Sequence, residues 1–353
     1  MRKFAVFSGF LGSGKTTTMM ALTQYFTQYH GKAAMISNDL GGKGLADNRF
    51  AQLRNCNATE LTGDCICYQT ENLVTHLNHL FDDEGCVLAI SDIPGFGVGA
   101  LEHVYHTLCE QYPNQFELAP FTVLTEPGTV ELLRADSGGD VAYILHTQLV
   151  EADLILLNKC DLLTEPERVA AVDYLRETYP QAKVIGISAL TGEGMEELSQ
   201  ALIQGNASMH RPDIGYGGSA FAEAMDKISE YNIQYYATVC CNDFDGNAYL
   251  MELAQSVQSE IREQPWEIPH LKLLAWEPEG AYGKADLLGK TRAIEVNQTF
   301  DRPCTELAVV LNASAVCPSE TLDKILTGAV ESVSAKFQLE LMIYKKECFG
   351  MSG

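Results

Sequence analysis

The chain has 353 residues, enough for two domains at about 150 residues each. Hydrophobic residues make up 46% and charged residues 20%, which excludes collagen-like and disordered chains. Basic residues number 24 against 47 acidic ones, a net charge of −23 that repels phosphate backbones and argues against nucleic-acid binding. No apolar run approaches the roughly 18 residues of a membrane span. The start, MRKFAVFSGF, is basic and then apolar, but the polar, Gly-rich LGSGKTTT follows, so a buried strand is expected rather than a secretory signal. Without such a signal, the 11 cysteines are expected as thiols and the protein as cytoplasmic.

In chain order, Phe4–Phe7 reads as a first strand and Lys15–Tyr29 as a helix. Further short apolar runs follow at Ala33–Ser37, Val87–Ile90, Phe121–Leu124, Leu154–Leu157 and Val184–Ile187. Apolar strands without alternation are buried on both faces, as in a parallel sheet covered by helices. The expected fold is therefore α/β and doubly wound over residues 1–204. Residues 205–219 are dense in Gly and carry Pro212, the composition of a linker.

Beyond the linker the period changes. Ile233, Tyr235, Ala237 and Val239 alternate with polar or small residues, whereas Leu250, Leu253, Ala254, Val257 and Ile261 share a helical face. Leu271–Trp276, Ala293–Val296 and Leu307–Leu311 read as strands, Leu322–Val333 as a second helix, and Phe337–Ile343 as a last strand. This predicts a smaller α+β domain over 220–353, a ferredoxin-like sandwich with an extra strand.

Gly9-Phe-Leu-Gly12-Ser13-Gly14-Lys15-Thr16 fits the phosphate-loop pattern GxxxxGK[ST], with a strand before it and a helix after it. Its backbone N–H groups and the helix N-terminus suit phosphate oxygens. Lys15 is placed to reach the β- and γ-phosphates, and Thr16 to ligate Mg²⁺; Thr17 continues the loop. A P-loop NTPase domain is the consequence.

Asn158-Lys159-Cys160-Asp161 follows a strand and matches NKxD. The Asp161 carboxylate can accept two hydrogen bonds from guanine N1 and N2, a donor pair adenine lacks, so GTP is expected over ATP. Asn158 would join this loop to the phosphate loop or to guanine N7, and Lys159 would lie along the base. Ser188 and Ala189 follow the next strand, where backbone N–H groups can meet guanine O6; an ordinary turn is the simpler reading of those two residues taken alone. Asp92-Ile-Pro-Gly95 matches DxxG, with Asp92 toward Mg²⁺ and the Gly95 N–H toward the γ-phosphate. Phe96 stands where many GTPases carry a water-positioning glutamine, so slow hydrolysis is expected, with a partner, second subunit or metal completing the site. Arg49 and Arg54 are candidate fingers.

These segments together resemble the CobW-like GTPases, relatives of the nickel-enzyme maturation GTPases. The resemblance rests on the phosphate loop Gly9–Thr17, Asn38-Asp39-Leu40-Gly41, Glu60-Leu61 before Gly63-Asp64-Cys65-Ile66-Cys67-Tyr68, Asp92–Gly95, and Gln148-Leu-Val-Glu-Ala-Asp153 leading into Asn158–Asp161. It covers roughly residues 4–200. It implies a GTPase that delivers or inserts a metal ion, zinc or cobalt, or a corrinoid-type metal cofactor, for a client metalloprotein or corrinoid-pathway protein. It also implies movement of the loops carrying Asp39 and Cys65. Tyr68 departs from the family, which has a further cysteine there.

Cys65 and Cys67 are spaced to chelate one borderline-soft ion such as Zn²⁺ or Co²⁺, but two thiolates do not close a tetrahedral site. The resemblance places Asp39 as the third ligand, with Cys56 and Asp64 as substitutes. Buried thiols with a packing role, and a redox pair, remain open readings. His103 and His106 read as helix surface. The leading functional reading is a slow Mg²⁺-dependent GTPase coupled to metal or cofactor delivery. The rivals are a GTP-dependent interaction switch without its own metal and an ATP-dependent small-molecule kinase. A homo-oligomer is compatible with all three.

Overall fold

The structure, a computed structural model, describes residues 2–39, 46–95, 97–135, 140–210, 212, 223, 226–240, 242–264, 266 and 270–350. Leu40, Gly41, Phe96, Cys241 and most of 205–219 lie outside this set, as does the side chain of Asp39. The chain divides into two compact units: 1–43 with 54–221, and 44–53 with 222–353.

The first unit is an α/β layer structure. Its strands are β1 (Lys3–Gly9), β2 (Ala33–Asp39), β3 (Ala58–Thr62), β4 (Leu88–Asp92), β5 (Glu117–Leu118), β6 (Thr122–Thr125), β7 (Leu154–Leu157) and β8 (Lys183–Gly186). They form a parallel sheet in the order β3-β2-β4-β1-β6-β7-β8, with β5 beside β1. Phe4, Val6 and Phe7 of β1 are fully buried because helices cover both faces. The helices of this unit are α1 (Lys15–Tyr29), α3 (Thr70–Asn78), α4 (Thr107–Gln111), α5 (Pro127–Arg134), α6 (Asp140–Val150), α7 (Glu165–Thr178) and α8 (Met195–Gln204); α2 (Ala46–Leu53) belongs to the other unit. The chain leaves β1 toward neighbours on opposite sides, β4 and β6, so the crevice for a ligand opens at the carboxyl ends of these strands. Register puts Asp92 of β4 opposite Phe7 of β1, at that end. After α8, the chain is fastened to the same unit by Ala207 N donating to Leu118 O at 3.0 Å and Ser208 Oγ donating to Asp153 Oδ1 at 2.5 Å.

The second unit has an antiparallel sheet in the order β12-β11-β10-β13-β9-β14. Its strands are β9 (Ser229–Val239), β10 (His270–Trp276), β11 (Tyr282–Leu287), β12 (Glu295–Gln298), β13 (Glu306–Ala315) and β14 (Leu339–Gly350). Helices α9 (Gly246–Arg262) and α10 (Ser319–Lys336) bury Leu250, Leu253, Val257, Leu322, Leu326 and Val330 in its core. The inner strands run β10-β13-β9-β14, the ferredoxin-like arrangement, and the β11–β12 hairpin extends it. Tyr235 and Tyr249 share a hydroxyl contact at 2.8 Å, and Tyr249 meets Ser334 at 2.8 Å, linking β9, α9 and α10.

Strand β11 has no apolar run to announce it: it carries Lys284 and Asp286 inside. Those two pair with each other, and Asn297 Nδ2 donates to Asp286 Oδ2 at 2.6 Å, so burial of the charges is compensated. Helix α2 belongs to this unit. Lys272 Nζ donates to Asp47 Oδ2 at 2.5 Å, Ala46 N donates to Asn312 Oδ1 at 3.1 Å, and Arg49 lies 4.8 Å from the Trp276 ring centre. Among the described residues no helix is long and apolar enough to cross a membrane.

Candidate functional site

The phosphate loop leaves β1 and enters α1 through Gly14, whose φ is +89°. A Cβ there would lie 2.3 Å from Asn158 Nδ2, so only glycine fits. Gly12 also has a left-handed φ, +80°. Lys15 Nζ donates to Gly9 O at 2.5 Å and reaches Phe10 O at 3.4 Å, folding the ammonium over the loop where phosphate oxygens would replace those carbonyls. Ser13 Oγ is buried without a hydrogen-bond partner. Thr16 and Thr17 occupy the first turn of α1 and are half-buried.

Asn158 holds this loop from the other side. Its Nδ2 donates to Ser13 O at 2.8 Å, and its Oδ1 accepts from Ala189 N at 3.0 Å. One buried amide therefore spans the phosphate loop, the NKxD segment and the Ser188–Ala189 turn. Lys159 has φ +61°, which turns the chain so that Asp161 is exposed at the rim. Asp161 Oδ1 accepts the Ser188 hydroxyl at 2.5 Å, and Thr191 N donates to that hydroxyl at 3.2 Å. The carboxylate is thereby oriented before any base arrives.

Asp92 Oδ1 accepts Asn38 N at 2.8 Å. The Asn38 side chain, 3% exposed, goes the other way: Nδ2 donates to Leu61 O at 3.1 Å and Asp64 O at 2.9 Å, and Oδ1 accepts Ile66 N at 2.9 Å. So the end of β2 joins Asp92 to the turn that carries Cys65 and Cys67. Thr16 and Asp92 offer only oxygen donors, which suits Mg²⁺.

Cys65 and Cys67 come together, Sγ to Sγ 3.0 Å. Cys67 supplies hydrogen bonds that hold the Cys65 thiol below its ordinary value, while the same shared proton and burial push Cys67 well above it. Asp64 Oδ1 accepts Cys65 N at 2.8 Å. Cys56 is buried beside Thr23, and burial pushes its thiol up to about 11. Among the described residues no three His, Cys, Asp or Glu side chains gather as a metal cage. The described cysteines are free thiols. His103 lies against Tyr68, with ring centres 6.3 Å apart. His106 is not a surface residue: it is 9% exposed, with Nε2 3.4 Å from His210 O. Arg49 is stacked on Trp276, and Arg54 is exposed.

Sequence reasoning assigned no role to Asn38, Gln148 or Glu151. Gln148 Nε2 donates to Gly95 O at 3.1 Å and Gly97 O at 2.9 Å, and Glu151 accepts from Gly99 N at 2.7 Å and Leu101 N at 3.4 Å. Burial pushes the Glu151 carboxyl up to about 7. The available signal was the Gln148–Asp153 stretch, which carries the family resemblance without naming a role for either residue. Gly95 packs on the phosphate loop: a Cβ there would fall 2.4 Å from Leu11 Cδ2 and 3.2 Å from Leu11 N.

A strand–GxxxxGKT–helix loop, an Asp at the end of the adjacent strand and an NKxD turn, all at the carboxyl edge of one parallel sheet, define a P-loop nucleotide-binding protein. Residues 3–186 match the family described as CobW/HypB/UreG, nucleotide-binding domain, and the chain belongs to that family. It is similar to hydrogenase maturation factor HypB of Azotobacter vinelandii, 29% identical over 191 residues, covering 53% of this chain and 55% of that protein. The chain thus spans about half the length of the curated relatives it matches. Among solved structures, HypB from Helicobacter pylori in complex with nickel aligns with TM-score 0.42 and 17% identity, covering 59% of this chain and 91% of that one. The Zn(II)-bound YjiA GTPase from E. coli aligns with TM-score 0.35 and 16% identity, covering 93% and 98%.

Proposed function

We propose that the protein is a Mg²⁺-dependent GTP-binding protein that hydrolyses GTP slowly and couples the cycle to delivery of a metal ion, zinc or cobalt, or of a corrinoid-type metal cofactor. The supporting observation is Asn38, which hydrogen-bonds Asp92 through its backbone and the Cys65 turn through its side chain. Any shift of Asp92 on exchange of GTP for GDP is felt at the thiols.

In this reading Gly12, Ser13, Gly14, Lys15, Thr16 and Thr17 cradle the phosphates. Thr16 and Asp92 hold Mg²⁺, which offsets charge on the β- and γ-oxygens. Asn158, Lys159, Asp161, Ser188 and Ala189 select guanine. Lys15, Asp92 and the Gly95 N–H stabilise charge as water attacks the γ-phosphorus and GDP leaves. Cys65 and Cys67, with Asp39, take the cargo ion, and an incomplete shell favours its release to a client metalloprotein.

A second reading, a GTP-dependent interaction switch without its own metal, draws on α2: residues 44–53, a few positions beyond Asp39, belong to the second unit. A nucleotide competition assay with GTP, GDP and ATP, followed by metal analysis of anaerobically purified protein, tests both readings. Preference for GTP with stoichiometric metal supports the first. Preference for GTP without metal supports the switch, and preference for ATP contradicts both.

A further inference from the structure

We propose that Gln148 and Glu151 are positioning residues that hold the DxxG loop in the geometry required for GTP turnover; this rests on the GTPase reading above. Gln148 lies in the last turn of α6, and Glu151 is the residue that follows the helix. They are 1% and 2% exposed, so each must spend its polar atoms within the protein. They spend them on one stretch of backbone. The Gln148 amide donates to the carbonyls of Gly95 and Gly97, and the Glu151 carboxylate accepts the N–H groups of Gly99 and Leu101.

The polarity is matched along the loop: a donor faces the carbonyls and an acceptor faces the amides. The bonded residues Gly95, Gly97 and Gly99 are glycines, whose backbone has many accessible conformations and gains none of its order from a side chain. The loop's internal backbone bond is Gly97 N to Pro94 O at 2.7 Å. Asp92 is fixed at the near end by Asn38, and Glu151 fixes the far end where the helix over Leu101–His106 begins. The Gly95 carbonyl held by Gln148 belongs to the residue whose N–H faces the γ-phosphate in the proposed reaction. That carbonyl lies in the peptide after the one carrying the N–H, so a shift there turns Gly95 and degrades the transition state more than GDP binding, since GDP has no γ-phosphate.

The test uses the full-length protein and near-isosteric changes. Q148E keeps shape but sets a carboxylate against two carbonyl oxygens, and Q148M removes the donor at similar volume. E151Q keeps one acceptor oxygen, and E151L keeps none. Single-turnover and steady-state GTP hydrolysis are measured beside GDP affinity and thermal midpoint. The expected result is GDP affinity within about two-fold of wild type and kcat lower by about ten-fold or more for Q148E, Q148M and E151L, with E151Q between them and wild type. Unchanged kcat in the Gln148 and Glu151 variants overturns the assignment alone. A parallel fall of kcat, GDP affinity and thermal midpoint also overturns it, because that marks a purely structural role. A wild-type protein that fails to bind or hydrolyse GTP overturns the underlying GTPase reading and this assignment with it.

Discussion

The backbone N–H of Asn38 donates to the Asp92 carboxylate at 2.8 Å. Through this bond the strand that ends in Asp39 is tied to the strand that brings Asp92 to the phosphate loop. The Asn38 amide makes further bonds to Leu61, Asp64 and Ile66. N38A keeps the backbone bond and strands buried polar groups in the Cys65 turn. We expect a loss of roughly 2–4 kcal/mol in denaturant unfolding of the first unit. We also expect weaker zinc binding with GDP affinity nearly unchanged, measured by competition with a chromophoric chelator.

Gly14 and Asn158 face each other too closely for any side chain at position 14. G14A should therefore abolish nucleotide binding while K15A removes it by loss of charge; fluorescent GDP titration reads both. D161N should bind GTP on the order of 100-fold more weakly, because the amide presents an N–H to the guanine donors. Its affinity for xanthosine triphosphate, which offers an acceptor there, should rise. Retention of wild-type GTP preference in D161N would place guanine recognition elsewhere.

The second unit should be acid-labile. His270 is buried, and burial lowers its pKa to about 4 from an ordinary 6.5, against the pull of Asp286. Burial alone would raise Asp286, yet Lys284 and His270 hold it well below the usual carboxylate range, so it stays ionised throughout. A depressed His binds fewer protons folded than unfolded. Its contribution is present above pH 6.5 and is lost as pH falls toward 4, by about 3 kcal/mol in all. Unfolding of wild type and H270Q between pH 7 and 4 checks this: the variant should show the shallower slope.

Much of the first unit could be read from residue order. Leu154–Leu157 and Lys15–Tyr29 form the elements that their patterns predict, because buried parallel strands and a phosphate-loop helix leave local marks. Strand β3, Ala58–Thr62, escaped because it is an edge strand of mixed polarity. Strand β11 escaped because it buries charged residues, Lys284 and Asp286, that compensate each other and so break the apolar pattern of a strand. The same holds for the site. Motif spacing picked out Lys15, Asp92, Asp161 and the Cys65–Cys67 pair as candidates. Asn38, Gln148 and Glu151 act by bonds across 23 to 54 positions, and spacing along the chain does not encode such links. The grouping of α2 with the second unit is likewise a tertiary fact: Asp47 meets Lys272, 225 positions on, only when that unit folds.

The central claim is that the thiol pair and the nucleotide are coupled. It is tested most directly by the rate of GTP hydrolysis, measured anaerobically with Mg²⁺ while Zn²⁺ is raised from zero to a few equivalents, with Co²⁺ in a parallel series. The account predicts a rate change that saturates near one equivalent and vanishes when Cys65 and Cys67 are both replaced by Ala. A flat response to both ions, or an unchanged response in the double variant, would contradict it.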